Sequence, residues 1–526
     1  MATLAEAGLY DRFAAICGAE NVARAGEDRD YMTRDIFYDG APAAFIVSPR
    51  NKEEIVAIVR EAAAAGLAVF PRGGGMSYTK GYVPSVEQSV LIDLSALDQI
   101  ITIDEANMFV TVQPGVTWKQ LYEALREKGL RLPAFGTMSG AKATVGGGLS
   151  QGSIFYGSTQ YGTTADHVLG LEVVLADGSL VRTGQAAMTG SKPYFRWHGP
   201  DLTGPFLGDC GALGIKVEMT FRLIRWPEHM ITLSFGFDDF ESVWQAQNAI
   251  ARAGCTADCF SFDAVLQSQL MERNSLVQNV DALRHVVSAG GSLFKGLKNA
   301  AKIVAGGKGF MNESAYSMHV VVEHALKPAA EAAAEEVRLI ATAQGGKPIP
   351  NSIPQVMRST PFGSMDQVLG PSGERWVPVH GFIALSDGME GMKRLLELLA
   401  SYGPRMIEHG ILTGILSNPV GASAMIIEVL FYWPDSPHEL HEKILSPRKL
   451  AQARSFASNP AARALVQEIR TAILAMFAEV GTAPFGIGKV APYKQNRDPA
   501  SYEVLEKIKT ALDPERRLNP GALGLS

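Results

Sequence analysis

Cysteine is scarce in this chain, with four among 526 residues. They stand at positions 17, 210, 255 and 259, which is too sparse for a disulfide framework. The close pair Cys255 and Cys259 has no second cysteine or histidine pair at zinc-site spacing nearby. We therefore expect buried or incidental thiols and no metal centre.

Basic charge and long apolar runs are also lacking. The net charge is −6 without a basic stripe, which argues against nucleic acid as a partner. No stretch approaches the roughly 18 uninterrupted apolar residues that a membrane span needs. The first 20 residues carry acidic side chains and no basic region before an apolar segment, so they predict a short amphipathic helix and not a signal peptide. The expected compartment is cytoplasmic.

Apolar residues are plentiful, and they alternate between helix-like and strand-like patterns. At 47% hydrophobic, 526 residues exceed what one core serves, so two or three domains are expected. Residues 51–67 and 118–130 have helical periodicity, and β-branched runs around them end at turn signals. Near Trp226 the chain changes to longer helices that alternate with strand-like runs. The pattern predicts an α+β protein with a second α+β domain.

Two glycine clusters stand out, at residues 71–84 and 136–167. Glycine lets the backbone adopt positive φ and lets another molecule approach the main chain. Backbone N–H groups without a neighbouring Cβ can cradle a pyrophosphate, and serine and threonine hydroxyls supplement them. Neither cluster matches G-x-G-x-x-G in a strand–turn–helix setting or a P-loop. Together they predict a dinucleotide held in another way, with simple turn formation as the structural alternative.

Seven segments follow one another in a fixed order. They are PRGGGMSYTKGYVP at 71–84 and the segments at 90–104, 109–125, 144–148, 161–184, 207–224 and 513–523. Together they resemble the FAD-linked oxidase family, the vanillyl-alcohol oxidase and p-cresol methylhydroxylase (PCMH) superfamily. The resemblance implies an α+β fold with a split, two-subdomain, PCMH-type FAD-binding domain and an inserted α+β cap for the substrate. The predicted domains are 1–228 for the first part of the FAD domain, 229–475 for the cap and 476–526 for the closing segment.

The resemblance also implies which residues bind FAD. The first glycine loop would hold the pyrophosphate, and the second would pass along the isoalloxazine. The predicted FAD-binding residues are Arg72, Gly73, Gly74, Gly75, Met76, Ser77, Pro114, Thr137, Gly140, Thr144, Gly146, Gly147, Gly148, Ser150, Gly152, Tyr156, Tyr161, Gly214, Ile215, His380 and Asn519.

A covalent link to the flavin is disfavoured by the residues at the expected positions. Met76 stands where a tethering histidine of the family would be, and KATVGGG lacks the cysteine of a second tether. A tether from the cap would place a histidine near His380, for which a partly buried structural histidine is the alternative. Non-covalent FAD is the favoured interpretation, with attachment through His380 as the other.

The hydroxy-acid branch of the family builds a metal and base site from histidine-rich segments. His409 survives in EHGILTGILSNPVG, but Pro484 and Phe485 replace the Glu-His pair of the later segment. Proline and phenylalanine neither bind metal nor accept a proton. A metal-dependent D-2-hydroxy-acid dehydrogenase is therefore disfavoured.

The phenolic branch uses a Tyr-Arg pair at the place where this chain has Phe485 and Gly486. We expect Phe485 to form a wall for an aromatic or apolar substrate. Tyr78 or Tyr82 would supply the tyrosine of the first loop, Asp166 the aspartate near flavin N5 and Lys489 a cation. The predicted catalytic residues are Tyr78, Asp166, Phe485, Lys489 and His409. Turn capping by Asp166, packing by Tyr78, a surface position for Lys489 and a core position for His409 are the structural alternatives.

The resemblance implies an FAD-dependent oxidoreductase that removes a hydride from a small aromatic, phenolic or apolar alcohol. Dioxygen or an electron-transfer protein would reoxidise the flavin, and a homodimer is compatible with this interpretation. One alternative is a D-2-hydroxy-acid dehydrogenase with a metal-free site, and another is a flavin-binding electron-transfer subunit without substrate chemistry of its own. Lysines at 293–310 suggest docking to a membrane or partner, or a solvated excursion of the second domain.

Overall fold

The chain crosses four times between two units in the computed structural model, which describes residues 4–273 and 314–525. The first unit contains Met1–Ile154, Thr163–Arg225 and Phe485–Ser526. The second contains Phe155–Gly162 and Trp226–Pro484. The predicted basic segment at 293–310 lies outside the described residues.

A four-stranded sheet with largely parallel pairing opens the first unit. Its strand order is β1-β2-β4-β3, with β2 and β3 both parallel to β4. The central strand β4 is buried along its whole length, as expected for a strand covered on both faces. The elements are α1 (Leu4–Cys17), β1 (Val22–Arg24), β2 (Phe45–Val47), α2 (Lys52–Ala64), β3 (Ala68–Arg72) and β4 (Ser89–Asp93).

A five-stranded antiparallel sheet of order β5-β6-β10-β8-β9 completes the strands of the first unit, with a small pair β7–β11 beside it. Thr117 and Gln120 cap helix α3 reciprocally, which explains why the helix begins at Trp118. The elements are β5 (Ile100–Asp104), β6 (Phe109–Val112), α3 (Trp118–Glu127), β7 (Leu130–Arg131), α4 (Val145–Gln151), β8 (Val168–Val174), β9 (Leu180–Arg182), β10 (Ile215–Arg222) and β11 (Ile224–Arg225).

The second unit is built on an antiparallel sheet of eight strands in the order β15-β12-β14-β13-β17-β18-β16-β19. The strands are β12 (His229–Phe237), β13 (Asp258–Asp263), β14 (Tyr316–His324), β15 (Lys347–Pro348), β16 (Arg375–Ala384), β17 (Leu412–Val420), β18 (Ala424–Trp433) and β19 (Ala483–Pro484). The helices are α5 (Ser158–Tyr161), α6 (Phe240–Ala253), α7 (Ala264–Arg273), α8 (Lys327–Ala343), α9 (Ser352–Ser359), α10 (Gly388–Glu408), α11 (Glu439–Ile444), α12 (Pro447–Ala453) and α13 (Pro460–Glu479).

The two faces of this sheet carry different side chains. On the first face, the hydroxyl of Ser417 donates to the side-chain oxygen of Gln247 of α6 at 2.7 Å. Because side chains alternate along a strand, the next residues point to the second face. That second face carries the cross-strand pair His380 and Glu428, which lie opposite each other on β16 and β18.

The C-terminal segment returns to the first unit through helix α14 (Pro499–Leu512) and then joins the parallel sheet. Leu518 forms a parallel bridge to Val69 of β3. The ammonium group of Lys509 is buried and donates to Asp513, Ala212 and Leu518 at 2.6, 2.7 and 2.9 Å. All three of its protons are therefore satisfied, which is a condition for burying a lysine.

The unit boundaries differ in position from the predicted domain boundaries. The first falls between Arg225 and Trp226, close to the predicted 228/229. The second falls between Pro484 and Phe485, whereas the predicted 475/476 lies inside helix α13. Within residues 4–273 and 314–525, none of the helices is both long and apolar enough to cross a bilayer.

Candidate functional site

The first glycine loop, residues 71–84, is fastened by the preceding segment 34–38. The N–H of Ile36 donates to the carbonyl oxygen of Ser77 at 3.0 Å, and the carboxylate of Asp35 accepts the N–H of Lys80 at 2.8 Å. The buried hydroxyl of Tyr82 lies 2.6 and 2.9 Å from two backbone carbonyl oxygens. Burial raises the pKa of Tyr82 well above its usual range, so this hydroxyl is neutral and structural.

Five consecutive N–H groups of this loop, those of residues 73–77, have no acceptor within the part of the chain that the structure describes. Arg72 lies beside them, buried, with its guanidinium 3.6 Å from Asp93 and its Nε atom without a partner. Buried polar groups are nearly always hydrogen-bonded. A row of unused donors next to a buried cation fits a diphosphate.

Gly73 and Gly74 lie directly against the second glycine cluster. The sequence predicted that these glycines face a ligand, whereas in the structure they also face protein. A Cβ on Gly73 would overlap the hydroxyl of Thr144, and one on Gly74 would overlap the carbonyl oxygen of Lys142. These glycines let two loops of the protein lie against each other. Gly75 differs, because its φ of 76° is a backbone conformation that favours glycine.

The two loops and the start of β10 border an open groove of about 490 Å³, a volume that includes solvent at its mouth. We call it the glycine groove. Predicted FAD-binding residues that line it are Gly73, Pro114, Gly146, Gly147, Ser150, Gly214 and Ile215. Lining residues outside the predicted FAD-binding set are Pro71, Gly81, Tyr82, Leu94, Gln151, Cys210, Gly211 and Lys216. The groove therefore combines glycine backbone, apolar walls and a few polar side chains.

A buried ion pair forms part of the wall. Lys216 donates to the carboxylate of Asp209 at 2.6 Å and to the hydroxyl of Ser150 at 2.9 Å. Both charged side chains are almost fully buried. The third proton of the ammonium group has no acceptor among the described residues. A spare donor in the groove wall fits an acceptor atom of a nucleotide.

Asn519 connects two walls of the groove. Its side-chain amide donates to the carbonyl oxygens of Gly81 and Cys210, both of which line the groove. Its Oδ1 atom is buried without a partner in the described structure. Asn519 therefore holds the walls together through protein contacts, and its remaining acceptor is available to a ligand donor.

The other predicted residues of the second cluster shape its turns. Thr144 caps α4, with its hydroxyl accepting the N–H of Gly147 at 3.4 Å. The N–H of Gly140 donates to the carbonyl oxygen of Thr137 at 2.9 Å, which closes a turn. A Cβ on Gly148 would come within 2.6 Å of the Trp118 ring. Met76 and Ser77 belong to the row of unused N–H groups described above.

The predicted catalytic residues of the first unit have different surroundings. Phe485 lies against Gly152, where an added Cβ would be 3.0 Å from its ring. Lys489 donates to the carbonyl oxygen of Val83 at 2.6 Å and lies over the Phe70 ring. Burial lowers the pKa of Lys489 to about 7. Its ammonium group is thus inside the first unit and not on the surface.

Asp166 and Tyr78 complete that set. Asp166 is exposed, and its carboxylate accepts the N–H and the hydroxyl of Thr163 at 2.7 and 2.9 Å. This is the turn-capping role given above as the structural alternative. Tyr78 lies half-buried in the first loop.

In the second unit, His380 and Glu428 form a titratable pair on the second face of the sheet. His380 Nδ1 is 3.7 Å from Glu428 Oε1, and the side chains are 6% and 20% exposed. The register places Phe382 and Leu416 beside them on the same face. Glu428 was not among the residues predicted from the sequence. A signal was present, because Glu428 is the only charged residue in the apolar strand AMIIEVLFYW, and buried glutamates are rare unless they are paired.

Segment 155–162 belongs to the second unit and contacts a buried cluster of charged side chains there. Arg358 of α9 pairs with Asp258, 3.5 Å away, and with Glu323, and its guanidinium lies 3.1 Å from the centre of the Tyr156 ring. The N–H of Gly157 donates to Asp258 at 2.7 Å. Tyr156 is therefore buried within this cluster.

Tyr161 and His409, also predicted from the sequence, lie at helix ends in the second unit. Tyr161 is the last residue of α5, and His409 caps α10 with its N–H donating to the carbonyl oxygen of Arg405. Across residues 4–273 and 314–525, no group of three or more His, Cys, Asp or Glu side chains is placed to hold a metal ion.

Two protein families match the chain. The FAD binding domain family matches residues 43–184, and the C-terminal domain family of FAD linked oxidases matches residues 456–523. The glycolate oxidase subunit GlcD of Bacillus subtilis is 34% identical over 216 residues, 41% of this chain and 44% of that protein. The chain thus matches less than half the length of that relative.

Two further comparisons span nearly the whole chain. The probable mitochondrial D-lactate dehydrogenase of Danio rerio is 25% identical over 99% of this chain and 92% of that protein. The crystal structure of p-cresol methylhydroxylase with bound substrate superposes with a TM-score of 0.71 at 18% identity, covering 100% of this chain and 98% of that one. At this identity the superposition establishes the fold alone.

The glycine groove and the matched domains define an FAD-binding flavoprotein, which confirms the predicted cofactor and the PCMH-type α+β fold. The two matched domains, residues 43–184 and 456–523, agree with the predicted resemblance to the FAD-linked oxidase family.

Proposed function

We propose that this oxidoreductase acts on an uncharged aromatic, phenolic or apolar alcohol, with His380 as the group that takes the hydroxyl proton. When bound, FAD accepts the hydride from the substrate carbon and passes the electrons to dioxygen or to an electron carrier. The observation that carries the proposal is the His380–Glu428 pair beside apolar side chains on one sheet face.

The pair has the chemistry of a general base. A neutral imidazole can take the hydroxyl proton as the hydride leaves, and a nearby carboxylate stabilises the resulting imidazolium. The separation of 3.7 Å is longer than a hydrogen bond, but catalytic hydrogen bonds in apo structures are often long and tighten with substrate. Glu428 would then act through His380, as a positioning residue.

The charges of this face favour a neutral substrate. In β13, β14, β16, β17 and β18 the residues of the second face include Asp258, Glu323 and Glu428 but no lysine or arginine. Arg358, which contacts the face from α9, is engaged by Asp258 and Glu323. A substrate carboxylate would meet like charges there, whereas an aromatic or apolar group would pack against Phe382 and Leu416.

A second candidate function is the oxidation of a 2-hydroxy acid, supported by the names of the glycolate oxidase subunit and the D-lactate dehydrogenase. Such a substrate needs a cation for its carboxylate. Lys489 and Arg375 donate to backbone carbonyl oxygens, and Arg405 is paired with Glu468 on the surface. The pairing of these cations makes the hydroxy acid the second choice.

The test is anaerobic bleaching of the bound flavin. We expect 4-hydroxybenzyl alcohol to reduce the flavin, and D-lactate and glycolate to leave it oxidised. Bleaching by a hydroxy acid alone would favour the second candidate. A flavin that neither class reduces, in protein that copurifies with a partner, would favour an electron-transfer subunit.

The role of His380 has its own test. His380→Asn should slow flavin reduction by about 100-fold or more, the usual contribution of a general base, while KM changes little. His324→Asn is the matched control, because His324 is exposed at the end of β14 in the same unit, and it should reduce at the wild-type rate. Equal rates in the two variants would contradict the role of His380.

A further inference from the structure

The C-terminal segment of the first unit binds the second half of the first glycine loop. The N–H of Lys489 donates to the carbonyl oxygen of Thr79 at 2.9 Å, and its ammonium group donates to that of Val83 at 2.6 Å. Between these two contacts, the side-chain amide of Asn519 donates to the carbonyl oxygen of Gly81 at 2.6 Å. One segment that is distant in the chain therefore binds three alternate carbonyl groups of the loop.

The two halves of the loop have different partners. The N–H groups of residues 73–77 have no acceptor in the described structure, whereas the three carbonyl groups between residues 79 and 83 face the C-terminal segment. Gly488 lets the two chain segments lie close together, because a Cβ there would overlap the carbonyl oxygen of Thr79. A loop that is already ordered loses less conformational entropy when its ligand binds. The C-terminal segment therefore preorganises the row of N–H donors.

The ammonium group of Lys489 is the charged member of this contact. It lies over the buried Phe70 ring, 4.6 Å from the ring centre, and one of its three protons has a hydrogen-bond acceptor among the described residues. That acceptor belongs to Val83, which follows Gly81 and Tyr82 of the glycine groove. A cation with two spare protons thus lies behind the groove wall.

The titratable groups that face Lys489 in the described structure are Cys210, Lys80 and Asp35. Burial raises the pKa of Cys210 to about 12, so this thiol is uncharged at neutral pH. The charges of Lys80 and Asp35 act on Lys489 in opposite directions. Burial is the largest influence on Lys489 and lowers its pKa to about 7. A new charge nearby can therefore change its protonation near neutral pH.

We propose that Lys489 is a positioning residue for FAD, which holds the diphosphate-binding loop from behind and takes up a proton from solvent when the cofactor binds. The negative diphosphate favours the ammonium form, because an opposite charge stabilises the charged form of a group. By linkage, FAD binds most tightly where Lys489 is already protonated, and its affinity falls as the pH rises above about 7. This inference concerns the cofactor and is independent of the substrate proposed above.

The test is the Kd of the full-length apo-protein for FAD, measured by quenching of FAD fluorescence between about pH 6 and 9. The wild-type Kd should be constant near pH 6 and rise at higher pH by up to about tenfold per pH unit, the limit for one proton. Lys489→Met removes the charge at similar side-chain length, so FAD should bind about 10-fold or more weakly at pH 6 and without pH dependence. Lys507→Met is the matched control, because Lys507 is an exposed lysine of α14, and it should behave as the wild type.

Calorimetry of the wild type covers the case in which Lys489→Met fails to fold. At about pH 8, the heat of FAD binding should differ between Tris and HEPES buffers, whose ionisation enthalpies differ, by an amount that corresponds to the uptake of up to one proton per FAD. A wild-type Kd that stays constant between pH 6 and 9 would overturn the proposal. Equal heats in the two buffers, or a pH dependence that persists in Lys489→Met, would also overturn it.

Discussion

Gly147 offers a substitution that should affect the protein and its cofactor in opposite directions. It is the third residue of α4 and lines the glycine groove. Within the described structure, the only heavy atom near an added Cβ is the Thr144 hydroxyl oxygen, at 3.3 Å. The methyl group of Gly147→Ala would therefore need only a small shift of that hydroxyl in the folded protein, and it would occupy space in the groove.

The magnitudes follow from those contacts. Alanine in a helix is better than glycine by about 0.5–1 kcal/mol, so the free energy of unfolding of the apo-protein should rise by up to that amount. An extra methyl group in a fitted site costs about 1–3 kcal/mol, which corresponds to roughly 5- to 150-fold in the Kd for FAD. Urea denaturation of the apo-protein measures the first quantity, and quenching of FAD fluorescence on binding measures the second.

Gly8→Ala is the matched control for this prediction. Gly8 lies in α1, where the nearest atom to an added Cβ is 3.9 Å away, and it is not part of the groove. It should gain similar helix stability with an unchanged Kd for FAD. If Gly147→Ala binds FAD as tightly as the wild type does, the groove does not hold the cofactor in the way described.

Three further predictions concern charge and loop contact. Burial lowers the pKa of Lys489 from its usual 10.5 to about 7, so between these pH values the unfolded chain binds more protons than the folded chain. The free energy of unfolding of the apo-protein should therefore rise with pH in this range. Urea titrations at several pH values measure the rise, and Lys489→Met should flatten it. Arg358→Met removes the guanidinium group that faces the buried carboxylates of Asp258 and Glu323, and it should cost about 3–5 kcal/mol in chemical denaturation, partly recovered by Glu323→Gln. Gly74→Ala would place a methyl group against the carbonyl oxygen of Lys142 in the second loop, so the FAD content of the purified protein should fall. A variant that retains one FAD per chain would contradict this contact between the loops.

The cofactor and the fold could be predicted because their signals are local in the chain. Gly73 to Gly75 follow a strand directly, and the Gly146–Gly148 turn opens a helix, so each cluster shows its backbone requirement within a few residues. The order of such segments then indicated the family. Pro114, Ser150, Gly214 and Ile215 were found in this way, and all four line the groove.

Side-chain roles that depend on distant partners could not be predicted in that way. In the sequence, nothing distinguishes Lys216 from other residues of a strand. Only the structure shows that it donates to Asp209 and Ser150. Glu428 gains meaning only from His380, which lies opposite on a neighbouring strand. Such pairs arise from strand register, which the spacing of residues along the chain does not specify.

The glycine clusters alone indicated that the backbone would accept a dinucleotide, because the absence of a Cβ is a property of each residue wherever it lies, and the resemblance to a family then indicated that the dinucleotide is FAD. Only the tertiary structure showed the role of each individual residue. It showed that Gly74 makes room for another loop, whereas Gly147 faces the groove, and that Asp166 caps a turn. The physical reason is that backbone freedom is local, whereas the direction, burial and pairing of a side chain depend on segments far away in the chain.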